Sequence, residues 1–134
     1  MNSVRMPLHH LSILLVEDNP DHADLISEML EEAGVSTITH VTSGQKALDF
    51  LIDNHGSSRP VNLVLMDIKM PRMTGLETLD KIKSHRLLRT MPVLMLSTSD
   101  NQKDIRDSFD RGAAGYITKP LTLPDLEAVL LRLI

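Results

Sequence analysis

Three carboxylates stand where two short apolar runs stop. The run Ile13-Leu14-Leu15-Val16 ends at Glu17-Asp18-Asn19-Pro20, and the run Val61-Asn62-Leu63-Val64-Leu65-Met66 ends at Asp67. Runs of this length bounded by turn residues read as buried strands of a parallel sheet. In such a sheet the ligand site lies beyond the carboxyl ends of the strands, where neighbouring crossovers diverge to opposite faces. Gathering three carboxylates there is unfavourable. Two like charges about 5 Å apart repel by roughly 3 kcal/mol at an effective dielectric of about 20. Either one carboxylate takes a proton or a cation neutralises the group. A hard, oxygen-seeking ion such as Mg²⁺ suits an all-carboxylate donor set. The chemistry on offer is that of an aspartate held beside a metal ion.

Composition agrees with this and removes other classes. The 134 residues have the length of one domain, and 42% of them are hydrophobic, enough for a proper core. The balance of 14 basic against 18 acidic residues, net −4, argues against a general nucleic-acid surface. Aromatics are only 2% of the chain, too few for a base-stacking platform. The absence of cysteine excludes disulfides, thiolate catalysis and cysteine zinc sites. No apolar run reaches the length of a membrane span and no signal-peptide core opens the chain, so a cytoplasmic protein without membrane contact is expected.

The elements that must position these groups alternate strand and helix five times. Strands are expected over 13–16, 36–41, 61–66, 93–97 and 115–118. The first helix opens at Pro20 and Asp21, turns Ile26, Met29, Leu30 and Ala33 inward at helical spacing, and has Gly34 as its C′ residue. Ser43 caps a helix reaching about Ile52, and another runs from about Leu76 to Ser84. Asp100 or Asn101 caps the fourth helix, which Ile105 and Phe109 are expected to pin to the core and Gly112 to end. Thr122 caps the last helix, whose buried stripe is Leu123, Leu126, Val129, Leu130 and Leu133. Right-handed crossovers make this (βα)₅ order an α/β fold, a doubly wound, flavodoxin-like parallel sheet of strand order 2-1-3-4-5. Residues 1–10 read as an N-terminal extension and 11–134 as one domain, with no output domain expected.

The strand-end residues also carry a resemblance. Glu17-Asp18 after the first strand, Asp67 after the third, Ser97 closing the fourth and Lys119-Pro120 after the fifth resemble the signature of a two-component response-regulator receiver domain. The words Val16-Glu17-Asp18-Asn19, Met70-Pro71 with Gly75, and Gly112-Ala113 before Gly115-Tyr116 are similar to that family as well, and the likeness spans roughly residues 11–133. The resemblance implies that Asp67 accepts a phosphoryl group from a phosphohistidine on a sensor histidine kinase or phosphotransfer protein. It implies Mg²⁺ (or Mn²⁺) held by Asp18 and Asp67 directly, by Glu17 through water and by the backbone carbonyl of Lys69. Lys119 would pair with the phosphoryl oxygens, Ser97 would donate its hydroxyl to them, and the Lys119–Pro120 bond would be cis. A register shift of one would pass the hydroxyl role to Thr98.

Tyr116 matches the family's aromatic switch: as Ser97 moves toward the phosphoryl group, the ring would turn inward and alter the face around the fourth helix and fifth strand. The alternative is a tyrosine that covers a strand with its hydroxyl in water. Lys69 and Thr98 depart from the commonest residues at their positions and bear on the rate of phosphoryl loss. The six histidines make no metal pair. Leu121, Leu131 and Ile134 lie partly off the buried stripe and form either an apolar patch or ordinary edge packing. The implied role is a stand-alone receiver that signals to a separate downstream protein, or through a homodimer across the fourth-helix, fifth-strand and fifth-helix face. It is a phosphoacceptor rather than an enzyme. The stretch Glu17-Asp18-Asn19-Pro20-Asp21 is similar to small regulators serving phytochrome-type kinases. Two other classes stand beside it. A phosphorylation-independent pseudo-receiver would lose part of the acidic set or the lysine. A haloacid-dehalogenase-like phosphatase would carry a second aspartate where this chain has Lys69.

Overall fold

The three most apolar runs, residues 13–16, 63–66 and 93–96, cannot face water on either side, so the sheet needs helices on both. The computed structural model, which describes residues 6–133, meets that need with a five-stranded parallel sheet of order β2-β1-β3-β4-β5. The strands are β1 (Ser12–Val16), β2 (Thr37–Val41), β3 (Leu63–Asp67), β4 (Val93–Ser97) and β5 (Gly115–Thr118). The helices are α1 (Met6–His9), α2 (Pro20–Glu32), α3 (Gly44–Asn54), α4 (Gly75–Ser84), α5 (Gln102–Asp110) and α6 (Leu123–Leu133). The three central strands are buried throughout, whereas β2 at the edge is half-buried.

Side chains alternate across a strand, and the alternation divides the core in two. Ile13 and Leu15 face one way and pack with Ala23, Ile26 and Leu30 of α2 and Leu126 and Leu130 of α6. Leu14 and Val16 face the other way and pack with Ala47, Leu48 and Leu51 of α3 and Leu79 and Ile82 of α4. Each fully buried aliphatic side chain contributes about 1.5–3 kcal/mol.

The helix boundaries follow local signals. Asn19 caps α2 by accepting from the Asp21 and His22 N–H groups, and Glu17 Oε2 accepts from the Asn19 N–H at 3.2 Å. Gly34, at φ 104, follows the helix as expected. Ser43 caps α3, and Asn101 rather than Asp100 caps α5. Thr122 accepts from the Asp125 N–H, as expected for the last helix. Thr74 and Glu77 form a reciprocal capping box on α4, a Thr-x-x-Glu signal that the sequence carries in plain view.

Leu8, within the segment read as an N-terminal extension, is 2% exposed and joins the first core cluster. Two expectations change. Phe109 does not pin α5: it is 47% exposed, and Ser108 is the buried residue of that helix. A serine there lets the helix lie close to the sheet, its hydroxyl satisfied by the Asp104 carbonyl at 3.0 Å. Of the proposed apolar patch, Leu131 is exposed, Leu121 packs partly against the first cluster, and Ile134 lies outside the described residues.

Candidate functional site

Register delivers the chemistry. Val16 pairs with Met66, so the next residues, Glu17 and Asp67, leave neighbouring strands side by side. Asp67 pairs with Leu96, and Ser97 pairs with Thr118, so Ser97 and Lys119 close the same end of the sheet. The Lys119 N–H donates to the Ser97 carbonyl at 2.7 Å, and the Lys119–Pro120 bond is cis.

Among the described residues, Glu17, Asp18 and Asp67 form an acidic group in which one carboxylate oxygen from each lies within 4.8 Å of the other two. Glu17 is 1% exposed and Asp67 7%. The Lys119 ammonium donates to Glu17 Oε1 at 2.9 Å and to Asp67 Oδ1 at 3.2 Å. Burial, and then the charge of Glu17, push the Asp67 carboxyl above the ordinary aspartate range, against the opposing pull of Lys119. Burial works against the Lys119 ammonium, but the hydrogen bonds and charges of Glu17 and Asp67 outweigh it and raise its pKa. Three carboxylates against one ammonium leave two negative charges, the charge of one divalent cation. The donor set, all hard oxygen, fits Mg²⁺ or Mn²⁺.

These groups line a cleft of about 220 Å³ with Asn19, His22, Lys69 and Thr98. Lys69 and Thr98 are exposed at its mouth, where the sequence placed them. Ser97 is 2% exposed at the end of β4, and its Oγ accepts from the Ser99 N–H at 3.1 Å. Tyr116 is half-buried against the second core cluster, and its hydroxyl donates to the Ser99 carbonyl at 2.7 Å. A hydroxyl standing in water is therefore not what the structure has.

The loop after β3 is shaped for this site. The Gly75 N–H donates to the Ile68 carbonyl at 2.8 Å, and a Cβ on Gly75 would meet the Asp67 carbonyl oxygen. Backbone cannot swing aside as a side chain can. Gly75→Ala is expected to cost about 2–3 kcal/mol in urea unfolding and to displace Asp67.

Comparison with known proteins decides the family. The model of the response regulator receiver domain matches residues 13–131. This chain belongs to the response regulator receiver family. The receiver domain is 38% identical over 117 residues to a probable methanogenesis regulatory protein, FilR2, of Methanothrix harundinacea, covering 86% of this chain and 76% of that protein. It is 37% identical to the response regulator Rcp1 of Synechocystis, covering 85% of this chain and 80% of the relative. The solved structure of a phosphorylated cyanobacterial phytochrome response regulator, RcpA, aligns with a TM-score of 0.75 and 35% identity, over 90% of this chain and 89% of that one. Other curated relatives are much longer, and this chain spans 26% and 10% of two of them. The five-strand order is that of the family. No helix among the described residues is long and apolar enough to cross a membrane.

Two residues in and beside the cleft were passed over in reading the sequence. His22, the third residue of α2, lines the cleft, where a lone histidine has no motif to single it out. Ser99 bonds both Ser97 and Tyr116, a role no spacing rule signals.

The raised Asp67 pKa sets a pH dependence. A carboxylate whose pKa is higher in the folded than in the unfolded chain costs stability while ionised, and the cost fades as pH falls through the folded-state value. In metal-free protein the melting temperature of Asp67→Asn is expected to exceed that of the unaltered protein at about pH 7, and the gap to close toward about pH 4. A gap that stays constant across this range would contradict the assigned burial and charge effects.

Proposed function

We propose that this receiver domain accepts a phosphoryl group on Asp67 from the phosphohistidine of a sensor kinase and passes the resulting change of shape to another protein. The observation that carries this reading is the double hydrogen bond of Lys119 to Glu17 and Asp67 inside the three-carboxylate group. In the transfer, an Asp67 carboxylate oxygen forms a bond to phosphorus as the phosphorus–nitrogen bond of the donor breaks, and the electron pair leaves on the imidazole nitrogen. Little further covalent help is required, because phosphoryl transfer depends mainly on position and charge. Glu17, Asp18, Asp67 and the Lys69 carbonyl would hold Mg²⁺ or Mn²⁺, which when bound neutralises charge on the phosphoryl oxygens.

Lys119 keeps the cleft ordered before reaction by spanning Glu17 and Asp67. Once Asp67 carries the phosphoryl group as an acyl phosphate, the Lys119 ammonium pairs with that group as a point charge. Ser97, whose hydroxyl proton is not committed to the Ser99 N–H it accepts, can donate to a phosphoryl oxygen. Lys69 and Thr98 at the mouth then govern how water reaches the acyl phosphate. Similarity to a structure described as a phytochrome response regulator supports a phytochrome-type histidine kinase as the donor.

Intact mass after incubation with acetyl phosphate tests the reading. One labile phosphoryl group that forms with Mg²⁺ and not in its absence supports it. No adduct, together with no binding of beryllofluoride, would favour a pseudo-receiver that acts through its surface alone.

A further inference from the structure

The pair Glu17-Asp18 begins one residue past the end of β1, whose last paired residue, Val16, lies opposite Val41 of β2. The Glu17 N–H still donates to the Val41 carbonyl at 3.1 Å. The Glu17 carbonyl lies beyond the ladder, and a buried carbonyl there needs a donor from elsewhere. A side chain of the edge strand supplies it: His40 Nε2 stands 2.7 Å from the Glu17 carbonyl oxygen. A carbonyl oxygen only accepts, so Nε2 carries the hydrogen. The neutral Nε2–H ring and the imidazolium both offer that hydrogen, so the bond does not depend on the charge of the ring. With it, Glu17 is held at every polar group, since its Oε1 accepts from the Lys119 ammonium at 2.9 Å and its Oε2 from the Asn19 N–H at 3.2 Å.

We propose that His40 is a positioning residue of the metal site: its ring fixes the peptide that joins Glu17 to Asp18 and so aims the Asp18 carboxylate. This role rests on the reading of Glu17, Asp18 and Asp67 as the group that holds Mg²⁺. The carbonyl that His40 grips belongs to the planar Glu17–Asp18 peptide, and turning that plane turns the bonds about the Asp18 Cα with it. Mg²⁺ demands near-ideal octahedral geometry at about 2.0–2.1 Å, so a carboxylate free to drift is a poorer ligand. Loss of the ring frees the peptide without removing any ligand. His40 acts through the backbone, so its effect is on the affinity of the site for metal and not on the nucleophile Asp67.

Calorimetric titration with MgCl₂ compares the unaltered protein, His40→Leu and His40→Gln, beside a metal-free thermal melt of each. Leucine fills space and donates nothing, whereas the glutamine amide can place an N–H where Nε2 stands. His40→Leu is expected to bind Mg²⁺ about tenfold more weakly, the lower end of the range for groups that orient a metal ligand, and His40→Gln to regain most of the affinity. Long-range proton–nitrogen NMR, with the His40 signals assigned by their loss in His40→Gln, is expected to show the hydrogen on Nε2. Unchanged affinity in folded His40→Leu overturns the role of His40, as does an equal loss in folded His40→Gln. A hydrogen on Nδ1 alone overturns it too, and that reading does not require His40→Leu to fold. No Mg²⁺ binding to the unaltered protein, by heat or by a rise in melting temperature, overturns the metal reading of the three carboxylates and the role of His40 with it.

Discussion

Asp67→Asn takes up no phosphoryl group from acetyl phosphate, while its metal-free form melts about 2–6 °C higher than the unaltered protein, a gain on the order of 1 kcal/mol. Both halves of this expected result have one origin. The amide keeps the size of the carboxyl but has no charge and no nucleophilic oxygen, so the acceptor is gone. It also removes one of three like charges that bring one oxygen each within 4.8 Å of one another, at a position where burial already opposes ionisation. Lys119 retains Glu17 as its partner at 2.9 Å, so no buried cation is left alone. Intact mass and a thermal melt in the presence of a chelator check the two halves separately. A phosphoryl adduct persisting on Asp67→Asn would sink the assignment of the acceptor.

Lys119→Ala should behave in the opposite sense. Its removal leaves Glu17 and Asp67 buried without their shared cation, and breaking a buried pair from one side costs about 3–5 kcal/mol. The loss in metal-free protein is expected at the lower end of that range, because the cleft is open to water at its mouth. A divalent ion replaces the missing charge, so saturating Mg²⁺ should restore much of the stability, by mass action on the folded state. Phosphorylation of this variant should still occur from acetyl phosphate. The fluorescence change of Tyr116 should be absent, since the ammonium that would fix the phosphoryl group is gone. Urea unfolding with and without Mg²⁺ measures the first effect, and a normal phosphorylation-induced change in Tyr116 would refute the second.

The two variants separate charge from chemistry. One lowers the negative charge of the cleft and abolishes transfer, whereas the other raises it and leaves transfer in place. A purely structural cluster would show the stability effects but no phosphoryl adduct in either the unaltered protein or Lys119→Ala.

Much of this protein was legible from the order of its residues. Short apolar runs can satisfy their backbone and bury both faces only in a helix-covered parallel sheet, so strand order and the placing of Glu17, Asp18 and Asp67 at one end followed from pattern, while Lys119 was placed there by the family resemblance. The helix starts at Ser43 and Thr122 were legible too, because a cap is decided within four residues; Asn19 and Thr74 carry the same local signal and went unread.

What needed the tertiary structure was every feature set by rotation or by approach across the chain. A helix of nine residues carries too few apolar positions to define its inward face, so Phe109 and Ser108 exchanged places. Leu8 could be recognised as core only once α6 lay beside it. Lys119 meets Glu17 across 102 positions of sequence, and its bridge to two carboxylates depends on the β1, β3, β4 and β5 registers together. Ser99 looked like one more hydroxyl residue in the run Ser97-Thr98-Ser99. Its hub of four bonds exists because β4, β5 and α5 converge there, and hydrogen bonds with a reach of about 3 Å are decided by that convergence rather than by residue type.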